Sequence, residues 1–184
     1  FGYRSNDQIQ SITEGTKTTS FTPDALGRLA KTYEYDGNGS TGTTFNHYDD
    51  TSDSPAWSQN PAADVAGVST TSWKRMLTSL SGDAVINTSG TTTASGSTVT
   101  TATGNISDMH GDTIATIELT PGTQSVSSTS AYDEYGAPIQ TPDLTQPGQY
   151  GWIATKSRLA SLGGIILMGA RLYNPTTGRF LQID

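Results

Sequence analysis

The chain has 184 residues, a net charge of −7 and no cysteine. It therefore has no disulfide framework, thiolate metal site or cysteine nucleophile, and ten Lys and Arg against 17 Asp and Glu leave no basic footprint for nucleic acid or an anionic membrane surface. Thr and Ser supply 52 residues and Gly a further 20, a mixture poor in helix formers and rich in β-branched side chains, which favours short strands joined by turns.

In chain order, strand-like stretches cover 8–13, 28–35, 43–48, 69–77, 99–106, 113–119 and 165–173. The first alternates, with Ile9 and Ile12 separated by polar residues. Turn chemistry recurs between them: Asp36-Gly37-Asn38-Gly39, Ser81-Gly82-Asp83, His110-Gly111-Asp112, Pro121-Gly122 and Pro175-Thr176-Thr177-Gly178. Residues 155–162 read as a helical turn or two, ended by Gly163-Gly164. Two stretches read as long loops: 51–67, with Pro55 and Pro61, and 88–97, within a run of Thr, Ser, Gly, Ala and Val. The longest apolar run, 162–170, holds three glycines and is too short to span a bilayer. The expected fold class is all-β, an extended antiparallel meander with little helix. The chain opens Phe1-Gly2-Tyr3-Arg4 without an initiator Met and stops in mid-pattern, so we expect a piece cut from a longer protein at both ends.

A small motif repeats. Asp24-Ala25-Leu26-Gly27-Arg28-Leu29 has the form Asp, two residues, Gly, Arg, apolar. Tyr132-Asp133-Glu134-Tyr135-Gly136 restates its front half with a tyrosine ahead of it. Tyr173-Asn174-Pro175-Thr176-Thr177-Gly178-Arg179-Phe180 carries one extra residue, and the stretch from Tyr3 to Ile9 is a degenerate copy. The physical logic is strand, turn, strand. Asp accepts backbone N–H groups across the turn, Gly takes the positive-φ position, and the residues after it start the return strand. Such units stack on their neighbours into an extended sheet.

These copies resemble the YD repeats of the RHS (rearrangement hot spot) family. The run from Gly169 through Arg171, Tyr173, Asn174, Pro175, Gly178, Arg179 and Phe180 to Asp184 looks like the start of the RHS repeat-associated core domain. Asn46-His47-Tyr48-Asp49-Asp50, Asp53-Ser54-Pro55-Ala56-Trp57 and Asp108-Met109-His110-Gly111-Asp112 look like the actinobacterial form. The resemblance implies a segment of a hollow β-shell over 1–168 and the first strand of the core domain over 169–184. RHS proteins, related to Tc toxin C subunits and teneurins, wind a long sheet into a shell. In bacterial members that shell encloses a C-terminal toxin, which the core domain releases as an aspartyl autoprotease. The implied partners are the rest of the shell and the toxin, with no cofactor, and the implied location is secreted or at the bacterial cell surface. Asp184 matches the first aspartate of the family's autoproteolytic pair, while the Pro, the Gly and the second acid that should follow are missing. A lone carboxylate cannot do the work of an acid and a base with split pKa values, so these 184 residues are not expected to be an enzyme.

Other motifs have plainer readings. Gly37-Asn38-Gly39-Ser40-Thr41-Gly42 fits G-x-G-x-x-G but leads into strand material rather than a helix, so it reads as a hairpin turn. Asp36, Asn38 and Ser40 have calcium-loop spacing, but His47 stands where a bidentate Glu is needed. Asp108, His110 and Asp112 alternate, which would put three metal-type ligands on one face of an extended strand; Asp and His around a Gly are also ordinary turn residues. Asp49, Asp50 and Asp53 read as a solvated loop. The aromatics read as cross-strand packing, with a sugar platform as the alternative if they are exposed on one face. Arg171 and Arg179 are expected to pair with carboxylates such as Asp133 or Asp184. A second functional reading is a teneurin-like surface module for adhesion or glycan binding. Cut edges of such a sheet would favour self-association.

Overall fold

A computed structural model describes residues 1–39, 41–61, 71–80, 84–93, 96–119, 121–122, 124–139, 151–153, 158–160, 162–169 and 171–182. Among these residues nearly all regular structure is strand. Eleven strands form one antiparallel sheet in chain order: β1 (Gly2–Tyr3), β2 (Ile9–Glu14), β3 (Lys17–Pro23), β4 (Leu29–Tyr35), β5 (Thr41–His47), β6 (Trp57–Pro61), β7 (Thr71–Thr78), β8 (Ala84–Thr93), β9 (Gly96–Ser107), β10 (Thr113–Glu118) and β11 (Val126–Thr129). A second sheet, β12 (Leu159–Ala160), β13 (Ile166–Met168), β14 (Arg171–Asn174) and β15 (Arg179–Phe180), is also antiparallel and in chain order. The all-β meander expected from composition is therefore the fold.

Several local expectations need correction. The described residues of 88–97 are not a long loop, because β8 and β9 run as paired strands up to Thr93 and from Gly96. Thr is as strand-prone as Val while its hydroxyl tolerates water, so a run that looks like a linker forms a hairpin once it has a partner. β6 interrupts the expected excursion over 51–67, of which 62–67 lie outside the described residues. At 155–162 the described part is strand β12, followed by a 3₁₀ turn at Leu162–Gly164. Among the described residues the change from the first sheet to the second falls between Thr129 and Leu159. Ile9 and Ile12 do not strictly alternate. The register with β1 shifts between Gly2 and Tyr3, a bulge that lets two residues three apart both face inward.

The small sheet explains the odd run Ile165-Ile166-Leu167. Ile165, Leu167 and Leu172 pack with Ile9, Ile12 and Phe21 of β2 and β3. From the opposite face, Ile166 and Tyr173 pack with Trp152 and Tyr132. A sheet covered on both faces needs a continuous apolar run rather than alternation. Leu172, fully buried at 0% exposure, is the centre of this packing, and each such side chain contributes about 1.5–3 kcal/mol of burial.

The large sheet has two unlike faces. Register pairs carry one face from Ile12 and Phe21, through Thr32 and Thr44, to Asn46, Ser58, Lys74, Ser89 and Thr101. Over β2–β4 this face is sealed by the small sheet. Farther along it is open and lines a concavity of about 350 Å³ with Ser58, Lys74, Met76, Asn87, Ser89, Thr101, Thr103, Asn105, Thr116 and Ser128 among its walls. The reverse face carries Tyr33, Phe45, His47, Trp57, Trp73 and Arg75, whose register pairs place them together.

Candidate functional site

The repeated motif forms the seat of the small sheet. At 24–28, Asp24 N–H donates to the Arg28 carbonyl (2.8 Å) and Gly27 N–H to the Asp24 carbonyl (3.1 Å), with Gly27 at φ 80°. The Asp24 carboxylate accepts from the backbone N–H of Leu26 and of Arg28, both at 2.9 Å, and from Arg28 Nε at 2.8 Å. Partial burial opposes that carboxylate's charge, but the Arg28 guanidinium and these N–H donors outweigh it and hold its pKa below the usual range. At 133–137 the geometry repeats: Asp133 accepts from Tyr135 and Ala137 N–H, and Gly136 sits at φ 88°.

A further copy, missed from the sequence, is Asp108-Met109-His110-Gly111-Asp112. Asp108 Oδ1 accepts the backbone N–H of His110, Gly111 and Asp112 at 2.9–3.0 Å. The stretch is thus a turn, and its ligand-type atoms do not line one face of a strand. The letter pattern Asp-x-x-Gly was present, but Ser107 stands where the tyrosine marked another copy. Among the described residues no group of three His, Asp or Glu side chains is placed to hold a metal.

These turns hold the chain together over long sequence distances. Buried Asp112 accepts Ile153 N–H at 2.7 Å, and its carboxylate lies 3.1 Å from His110 Nδ1. Thr113 N–H donates to the Gly151 carbonyl at 2.8 Å. Trp152 stacks on Tyr173 with centroids 5.1 Å apart, and Tyr173 meets Phe180 edge-on at 5.4 Å. Gly136 leaves room for the Trp152 ring, and Gly178 lies against Tyr135. On the other flank, Gly27 and Leu29 line a small crevice with Leu167 and Gly169. The motif residues Asp24, Gly27 and Arg28 therefore border one side of the small sheet, while Tyr132, Asp133 and Gly136 border the other with Tyr173 and Phe180. Burial pushes the Tyr132 and Tyr173 hydroxyls above their ordinary pKa.

Asn174 caps its own turn, accepting Thr176 N–H at 3.0 Å; Pro175 is buried beside it. Arg171 lies over the Phe180 ring at 4.1 Å. Arg179 is exposed and makes no ion pair among the described residues. The ion pair that ties the small sheet to the large one joins Arg158 to Asp53 at 2.7 Å, across a separation in sequence that no local pattern signals. Arg28 also reaches the Asp50 carbonyl at 2.7 Å and lies 4.1 Å over the Tyr48 ring. Burial pushes the Tyr48 hydroxyl up to about 12. Asp184 and Tyr150 lie outside the described residues.

Chemically, the arrangement is a clamp. Its carboxylates are spent on backbone N–H groups and guanidinium, and no hydroxyl bonds His110 among the described residues. His47 is elsewhere, stacked on Trp57. No helix among the described residues is long and apolar enough to cross a membrane.

The fold is an open meander, one face of which is sealed in part by a small sheet and then lines a concavity with hydroxyl groups. Among solved structures it is similar to the crystal structure of TcdB2-TccC3-TEV, with a TM-score of 0.66 at 12% identity, over 100% of this chain and 9% of that one. The fold is therefore RHS-shell-like. No family profile matches the sequence, and no curated protein does. The chain spans about a tenth of the length of the structure it resembles.

Proposed function

We propose that these residues form the part of an RHS-type shell wall where the sheet turns inward, in a longer secreted or surface-exposed bacterial protein that encloses a C-terminal toxin. The observation that carries this reading is the change along one sheet face, from apolar and sealed at Ile12 and Phe21 to open and hydroxyl-lined at Ser58, Ser89 and Thr101. A surface of Thr, Ser and Asn satisfies itself with water and offers cargo few apolar anchors, which suits a wall that holds a chain without gripping it. The clamp around the small sheet would fix the core domain's first strands inside. The shell's remaining repeats and the toxin are the partners in this reading.

Asp184 belongs to the same proposal as one of a pair of acids that cut the longer protein. The test is intact mass of the full-length gene product, wild type beside Asp184→Asn. Two pieces in the wild type and one uncut chain in the variant support self-cleavage. An uncut chain in both removes the protease role and leaves the shell reading to be judged by its architecture.

A further inference from the structure

The aromatic face of the large sheet carries a feature that the shell role does not use. Trp73 in β7 is in register with Gly90 in β8, and a Cβ built on Gly90 would stand 2.6 Å from Trp73 Cζ2 and 2.9 Å from Cε2. The indole thus lies against the backbone of β8 at Gly90, which has no Cβ to push it away. One strand away, Trp57 is 37% exposed, and His47 stacks on it at 3.7 Å with an interplanar angle of 8°, fixing its ring plane. Trp57 is in register with Arg75. Trp57, Trp73 and Arg75, with Asp49, Leu77 and Thr88, line a shallow concavity of about 570 Å³, within the size range of small-ligand sites. The side chains of Asp49 and Arg75 make no hydrogen bond or ion pair with the described residues.

The geometry points to a binding site for a neutral hexopyranose glycan, stacked on Trp73 and bounded by Asp49 and Arg75. A pyranose ring has one face of C–H groups, which suits the indoles that line the concavity, and a rim of vicinal hydroxyls that both donate and accept. Asp49 supplies a two-oxygen acceptor and Arg75 a forked donor, the pair of functions such a rim needs. Together they carry no net charge within a chain of −7, so nothing at the site favours an acidic ligand. An apolar protein partner would bury both charges without partners, which is costly. A proline-rich peptide would use the Trp faces but leave the Asp and Arg unengaged. The inference stands apart from the shell reading, which survives its failure.

The test is isothermal titration of the full chain with neutral gluco-, galacto- and mannotetraose, beside oligogalacturonate and a proline-rich decapeptide. We expect at least one neutral tetrasaccharide to bind, and Trp73→Ala and Asp49→Asn each to raise its Kd about tenfold or more, a loss of about 1.4 kcal/mol. Trp73→Phe, which keeps a ring over Gly90, should retain the near-UV circular dichroism of the wild type and part of the affinity. Leu80→Ala, at a fully exposed position, should change nothing. No binding by any neutral tetrasaccharide, binding by the acidic sugar or the peptide alone, or equal affinity in Asp49→Asn and wild type would overturn the proposal.

Discussion

Gly136 and Gly122 provide a matched pair for testing the clamp. Both adopt nearly the same left-handed backbone, φ 88° and φ 87°. Their surroundings differ: a Cβ at Gly136 would stand 2.7 Å from Cε2 and from Cγ of Trp152, whereas nothing lies within 4 Å of one at Gly122. Alanine at either site therefore takes on a backbone penalty of about 1–2 kcal/mol. Only Gly136→Ala must also displace the indole, a close-packed ring with Tyr173 behind it, which adds about 1–3 kcal/mol of overpacking. Urea unfolding of the full chain should then show Gly122→Ala destabilised by about 1–2 kcal/mol and Gly136→Ala by about 2–5 kcal/mol. The excess should come with loss of Trp152's near-UV signal. Equal destabilisation of the two variants would refute the idea that Trp152 is wedged between the 133–137 turn and the small sheet.

Three further outcomes follow from the same contacts. Leu172→Ala should cost about 2–5 kcal/mol in urea unfolding, because the cavity falls between two sheets, while Met109→Ala, at a fully exposed turn position, should cost almost nothing. Asp24→Asn should destabilise at neutral pH by about 1–2 kcal/mol through the lost charge-assisted bonds to Arg28. Since the folded-state pKa of Asp24 is lowered, that contribution is present above the unfolded value of about 3.9 and is lost as pH falls through the folded one. The gap between wild type and variant, followed by thermal melts from pH 7 downward, should therefore close in acid; a constant gap would contradict the assignment. Finally, among the described residues β1 and β11 are the edge strands of the large sheet, and all four residues of β11 are exposed. Sedimentation velocity should show concentration-dependent self-association that Thr129→Pro, which removes an N–H on the side of the strand away from β10 and bends the strand, reduces.

What the sequence made legible was local. Asp24 with Gly27, and Asp133 with Gly136, announce their turns because the chemistry is complete within five residues. The Thr-rich stretch of β8 and β9 was misleading because a strand of hydroxyls has no apolar face to mark it; only pairing along β7 and β10 decides its state. Lys17–Pro23 was overlooked for a similar reason, with Phe21 as its one large apolar side chain. The apolar run 165–167 was visible as strand material, but that both faces are covered depends on Ile12, Phe21 and Trp152, all far away in sequence. The Asp53–Arg158 pair and the Trp57–Trp73 platform are likewise products of register and topology.

The central claim is that the hydroxyl face of the large sheet looks into a closed space and the aromatic face looks out. A cryo-electron microscopy map of the full-length gene product tests it directly. The account predicts a hollow β-shell in which Ser58, Ser89 and Thr101 face the lumen, the small sheet lies inside, and Trp57 and Trp73 are on the exterior. A map with those tryptophans inside, or with no enclosed space at all, would contradict it.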